Sequence, residues 1–209
     1  MASDTAATPS YGQAYADFDI ADWQRQLHGD LQAGINACVE CCDRHCGRNA
    51  LALRWVDARG ELHLYTFEDL RDAAARAAQV LSAAGIGKGD VVAGLLPRTP
   101  DLLAVILGTW RVGAIYQPLF TAFGPRAIES RLKTGRTALV VTDAANRSKL
   151  DEVEACPQVA TVPTPGLAPR TGDIDWHACI AEATPGFTPV RLARPLAPGS
   201  RALVRIAGH

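Results

Sequence analysis

The sequence is short of several things, and each shortage narrows the function. It has no long apolar run: the most apolar stretch, Leu102–Leu107, falls far short of the roughly 20 residues a membrane-spanning helix needs. Neither charge is in surplus, with 21 Lys and Arg against 22 Asp and Glu. No basic footprint for a polyanion follows from that balance, so nucleic-acid binding is disfavoured. The opening MASDTAATPSYGQAYADFD has neither the basic start nor the apolar core of a secretory signal, and the reading is a cytoplasmic protein. There is no internal repeat. Gly85-Ile86-Gly87-Lys88-Gly89-Asp90 matches neither GxGxxG nor GxxxxGK[ST]. It also follows a helix and precedes a strand, so it reads as a helix stop and a turn. No Ser/His/Asp order, paired carboxylates or metal-ligand framework emerges.

Four of the six cysteines crowd into Cys38, Cys41, Cys42 and Cys46. Such bunching is a poor disulfide framework for a chain of this length. Cys38-x-x-Cys41 with His45 and Cys46 supplies zinc-type ligands. Against zinc, Ile35, Cys38, Val39, Cys42 and Cys46 recur at helical spacing, which makes three of the cysteines small core side chains on a helix Ile35–Cys46. No second ligand pair stands close by in the sequence.

What is present is an ordinary globular balance, 48% hydrophobic over 209 residues, enough for one domain with a sizeable core. Residues 1–16 are small and polar and read as disordered. Tyr15, Phe18, Trp23 and Leu27 form an apolar series suited to wrapping a domain surface. Leu51–Val56 and Leu62–Tyr65 flank Asp57-Ala58-Arg59-Gly60, a hairpin signal. Thr66 with Asp69 three residues on resembles a capping box, opening a helix that stops at Gly85.

From Val91 strands and helices alternate. The predicted strands are Val91–Leu96, Ala114–Pro118, Ala138–Thr142 and Val159–Val162. The predicted helices between and after them are Pro100–Val112, Arg126–Thr134, Ala144–Val153 and Ile174–Ala183. Thr164–Gly172 is a Pro/Gly linker. This alternation predicts an α/β fold: an open, mostly parallel sheet with helices on both faces, plus a small N-terminal hairpin, over residues 17–183. Residues 184–209 are a Pro/Arg-rich tail with a strand-like run, Ala202–Ile206.

Ligands of open α/β sheets sit at the carboxyl ends of strands. There the loop Leu119–Gly124 sets Phe120 and Phe123 around two small residues, Thr121 and Ala122. Aromatic walls with a small-residue floor let a ligand approach the backbone; alternatively both rings simply plug the core. Arg98, Arg147 and Lys149 lie near the same edge and suit an anionic ligand, or are solvated side chains.

Asn36 with Cys42-Asp43-Arg44-His45, Tyr65-Thr66-Phe67-Glu68-Asp69-Leu70, Gly85–Val92 and Arg98-Thr99-Pro100-Asp101 stand in one order. Gly113-Ala114-Ile115-Tyr116-Gln117-Pro118-Leu119-Phe120-Thr121-Ala122-Phe123-Gly124-Pro125 and Val140-Val141-Thr142-Asp143 follow them. The ordered set resembles the N-terminal part of AMP-forming acyl-CoA synthetases of the acetate–CoA ligase type, in the adenylate-forming superfamily. That resemblance implies a two-step ligase: a carboxylate attacks ATP to give an acyl-adenylate and pyrophosphate, and the thiol of coenzyme A then displaces AMP, with magnesium neutralising phosphate charge. It places Phe120, Thr121, Ala122 and Phe123 beside the coenzyme A nucleotide and Arg147 on its phosphates. A short carboxylic acid is the implied substrate.

The pattern departs from the family at its far end. The family's TSGTTGxPK phosphate loop should follow Leu196–Gly199, where this sequence reads SRALVRIAGH. The expectation is a truncated or out-of-frame enzyme piece, inactive alone and prone to self-association through uncovered apolar surface. The alternative is a non-catalytic ligand-binding module, or one half of a split enzyme.

Overall fold

The computed structural model describes residues 8–191. The strand-like run Ala202–Ile206 and most of the tail expected from residue 184 lie outside the described residues.

Two short helices come first, α1 (Tyr11–Ala16) and α2 (Ile20–Arg25), and neither buries a residue. This departs from the disordered segment expected through residue 16. A reciprocal capping box between Ser10 and Gln13 satisfies the first turn of α1. Tyr15, Phe18 and Trp23 do not wrap the core; all three are exposed.

Helix α3 (Ala37–Cys41) is only five residues long, and a separate 3-10 turn, Asp43–His45, follows it. The single helix expected to Cys46 breaks at Cys42, whose backbone leaves the helical region (φ −130°, ψ −67°). Strands β1 (Leu51–Val56) and β2 (Leu62–Thr66) pair antiparallel. Their turn is closed by Asp57 Oδ1, which accepts from the amides of Arg59 and Glu61 at 2.8 and 2.9 Å. Gly60 takes the positive φ there (+84°).

Thr66 and Asp69 form the anticipated capping box at the start of α4 (Phe67–Ala83). At its other end the Ile86 and Gly85 amides donate to the Leu81 and Ser82 carbonyls, with Gly85 left-handed (φ +84°). That is a Schellman stop, which a β-carbon would strain.

The main sheet then builds from β3 (Val91–Leu95), α5 (Pro100–Arg111), β4 (Ile115–Pro118), α6 (Pro125–Gly135), β5 (Thr137–Asp143), β6 (Gln158–Val162), β7 (Ile174–Asp175) and α7 (Trp176–Glu182). All its pairings are parallel, in the order β4-β3-β5-β6-β7. Successive residues of each inner strand feed opposite faces. Val92 and Val141 pack with Leu81, Val105 and Trp176 of α4, α5 and α7. Ala93 and Val140 pack with Ile128 and Leu132 of α6. Both faces are therefore covered, and the strands read as near-continuous apolar runs for that reason.

Helices α4 and α5 come unusually close, because a β-carbon on Gly108 would lie 2.6 Å from the Ala77 methyl. A third cluster, Cys38, Cys42, Leu70, Ala74 and Leu107, seats α3 under them.

The segment Ala144–Val153 is not the α-helix expected from its pattern but turns and one 3-10 turn, Arg147–Leu150. Asp143 Oδ1 accepts from both the backbone and the side-chain amide of Asn146, at 2.9 and 2.7 Å. The backbone bonds that follow include i to i+3 bonds from Lys149 to Asn146, Asp151 to Ser148 and Val153 to Leu150, so the segment winds in tight turns.

Candidate ligand rim at the strand ends

The strand order makes the site. From β3 the chain steps outward to β4, then returns past β3 to β5 on the other side. The crevice outside the carboxyl ends of β3 and β5 is therefore the topological switch point, where open α/β sheets bind ligands. Thr142, fully buried, closes the floor of that crevice by donating its hydroxyl to the Leu95 carbonyl at 3.1 Å.

The β4 loop lies beside it. The Leu119 amide donates to the Gly94 carbonyl at 3.0 Å, and the chain then turns back, with the Phe123 amide on the Phe120 carbonyl at 2.9 Å. Phe120 is 69% exposed. Phe123 is half-buried against the α6 core, its ring under the Arg131 guanidinium (4.1 Å to the centroid) and edge-on to Phe120 (5.3 Å). One ring plugs the core and the other stands free. Thr121 is half-buried and Ala122 exposed. Gly124 and Pro125 open α6 with no side-chain cap. Pro125 has no N–H and the Ala127 amide donates to the Gly124 carbonyl at 3.1 Å, so of the first turn only the Arg126 amide is left to solvent or to an anion.

The β5 loop meets the β4 loop through Lys149. Its ammonium donates to Asn146 Oδ1 at 2.8 Å and to the Thr121 carbonyl. The structure thus brings Phe120, Thr121, Ala122 and Phe123 together with Lys149.

Arg147 is turned elsewhere. Its Nε and Nη2 donate to the two oxygens of Asp173 at 2.7 and 3.0 Å, and its Nη1 donates to Asp151 at 3.1 Å. The Asp173 bond holds the Arg147 pKa above its ordinary value. Burial alone would raise the Asp173 carboxyl, but the bonds from Arg147 and from the Thr161 hydroxyl (2.6 Å) hold it below the usual carboxylate range. Arg98 stays exposed, and its carbonyl accepts from the Trp55 indole at 3.0 Å, which braces the hairpin against the loop after β3.

The Asn36 and Asp43 signature serves a different purpose. Asn36 caps α3 through Oδ1 on the Cys38 amide (2.9 Å), while its Nδ2 donates to the carbonyls of Trp110 and Val190, both at 2.8 Å. Asp43 receives Arg111 Nη1 on both oxygens at 2.9 and 2.8 Å, and Arg111 Nε donates to the Phe187 carbonyl at 2.9 Å. Arg111 is 5% exposed. This is a polar staple under the sheet; Asn36 and Asp43 stood out in the sequence, but their partner Arg111 did not.

The cysteines belong to that lower region. Burial pushes the Cys38 and Cys42 thiols up to about 12, against the thiolate a zinc ligand must become. Among the described residues the side chains grouped closely enough to hold a metal are Asp57, Glu61 and His63, at the hairpin turn. The sequence reading took that segment as a turn alone.

With the geometry in hand, the likeness to known proteins has a place to attach. The family model for "AMP-binding enzyme" matches residues 39–197. The chain belongs to the AMP-binding enzyme family. Among its relatives, an acetyl-coenzyme A synthetase of Bacillus subtilis is 35% identical over 137 residues, covering 64% of this chain and 24% of the relative. One of Alkalilimnicola ehrlichii is 31% identical over 181 residues, covering 75% and 27%. The crystal structure of a Brucella canis acyl-CoA synthetase matches with a TM-score of 0.83 and 58% identity, over 86% of this chain and 33% of that one. An acetoacetyl-CoA synthetase from Streptomyces lividans, at 24% identity and a TM-score of 0.69, shares the fold. The resemblance to the N-terminal part of AMP-forming acyl-CoA synthetases is upheld, and so is the α/β class. The chain spans about a quarter of the length of these curated relatives and a third of the Brucella chain.

No helix among the described residues is long and apolar enough to cross a membrane.

Proposed function

We propose that this chain supplies the coenzyme A side of an AMP-forming acid–thiol ligase acting on acetate or another short carboxylic acid. The observation that carries the reading is the open β4 loop at the switch point. It offers an exposed aromatic face at Phe120, approachable backbone at Thr121 and Ala122, and the uncapped start of α6. An adenine ring stacks on such a face, and the Arg126 amide at the start of α6 can donate to a phosphate.

In the whole family reaction the carboxylate displaces pyrophosphate from ATP, and the coenzyme A thiol then displaces AMP from the acyl-adenylate. ATP and Mg²⁺ would supply the activated phosphoryl group and its charge neutralisation. None of the residues described here is assigned to either. The share of this chain is to bind and orient the thiol carrier, with Phe120, Thr121, Ala122 and Phe123 at the nucleotide. Alone, the chain is expected to give no ATP–pyrophosphate exchange. A second reading, half of a split enzyme, draws support from the outward hairpin face, where Val56, Leu62 and Leu64 are exposed. The same surface supports self-association, which sedimentation velocity checks; a single monomeric species over a wide concentration range would refute it.

The test of the main reading is a thermal-shift titration. Coenzyme A at millimolar concentration should raise the melting temperature by a few degrees. No shift would remove the binding assignment. Exchange activity from the purified chain would overturn the division of labour.

A further inference from the structure

We infer that Lys149, not Arg147, is the cation that receives a phosphate of the ligand at this rim, and that it does so by releasing the Thr121 carbonyl. The inference rests on the coenzyme A reading above and names a residue that reading did not use.

Two cations reach this edge from the β5 loop, and their states differ. The Arg147 guanidinium is bidentate to Asp173 and also bonded to Asp151. Asp173 is itself held by Thr161, and Asp151 by Arg170 at 2.9 Å. A phosphate approaching Arg147 would meet two carboxylates first. Freeing the arginine would also strand a carboxylate that is largely out of solvent, which is costly. Lys149 makes no ion pair among the described residues. Both its partners, Thr121 O and Asn146 Oδ1, are neutral carbonyl oxygens. Exchanging one of them for a phosphate oxygen trades a neutral acceptor for a charged one, a gain in bond strength with no carboxylate left behind.

The position fits the exchange. Thr121 lies in the loop that carries Phe120, so a phosphate taken up by Lys149 sits within reach of a base stacked on that ring. The clasp also couples the loops: with the ligand absent the ammonium ties β4 to β5, and with it present the phosphate takes the place of the Thr121 carbonyl. Arg147, Asp173, Thr161 and Asp151 are then the fixed frame against which the clasp moves.

Isothermal titration of the purified chain with coenzyme A, and with pantetheine as the phosphate-free probe, tests this. Lys149→Gln keeps a donor for the Thr121 carbonyl and removes the charge. It should weaken coenzyme A binding by about tenfold, the size of one charge-assisted bond. It should also flatten the salt dependence of binding and leave pantetheine unchanged. Lys149→Arg should restore most of the affinity. Arg147→Met should lower the melting temperature and leave the dissociation constant within about twofold. Equal affinity for wild type and Lys149→Gln, or loss of affinity on Arg147→Met in a chain whose circular dichroism is intact, would overturn the inference. Wild type that fails to bind coenzyme A at all would instead defeat the underlying reading of the rim.

Discussion

The staple under the sheet and the rim above it both carry residues of the family resemblance, and they use them in opposite ways. In the staple, Asn36, Asp43 and Arg111 spend their polar atoms on one another and on the carbonyls of Trp110, Phe187 and Val190. Arg111 is out of water. Nothing there is left to bind a ligand. In the rim, Phe120 stands in solvent, α6 starts uncapped and Lys149 rests on neutral carbonyls. A signature residue that is saturated and buried holds the fold. One that is under-committed and open is available to chemistry.

The difference can be broken at several points. The largest effect should come from Arg111→Met, which strands Asp43 in a largely buried site. Urea denaturation should show a loss of about 3 kcal/mol or more, the range for removing one partner of a buried pair. A change below about 1 kcal/mol would place Arg111 among surface ion pairs. Asn36→Ala removes the cap of α3 and the donor shared by the Trp110 and Val190 carbonyls. It should cost about 2 kcal/mol in the same assay.

The Arg147–Asp173 pair should show itself in acid. A carboxyl whose pKa is lowered on folding contributes stability that is complete above its unfolded value, about 3.9, and is lost as pH falls through the folded value. Wild type and Asp173→Asn should therefore differ in melting temperature at pH 7, begin to converge only below about pH 4, and meet once the pH lies below the lowered folded value. A gap that persists into strong acid would deny the ion pair its role. Smallest of all, Phe120→Ala should shift stability by less than about 0.5 kcal/mol, as for an exposed side chain. A loss of several times that would mean the ring is packed, and the rim would then resemble the staple.

The same contrast explains what the sequence could disclose. The alternation of apolar strands and helices from Val91 onward was legible because both faces of β3 and β5 are buried. The Thr66–Asp69 box and the Gly85 stop were legible because all their partners lie within a few residues. The β4 loop stood out by its glycine and its two phenylalanines.

What stayed hidden depends on distant partners. Asn36 gains its meaning from Trp110 and Val190, and Arg147 from Asp173, 26 residues further on. Residues 144–153 carried a helical pattern, yet the chain winds there in i to i+3 turns. Nor did spacing separate Lys149 from Arg147. Both stand near the same strand end, and only the position of the carboxylates tells them apart.

The central claim is that the switch-point rim, and not the staple, is where this chain meets coenzyme A. Amide chemical shifts of the labelled chain, followed through a coenzyme A titration, test it most directly. The account predicts shifts gathered in Leu119–Arg126 and Thr142–Leu150, with Asn36–His45 and Trp110–Val112 unmoved. Shifts centred on the Asn36–Asp43–Arg111 region, or none at millimolar ligand, would contradict it.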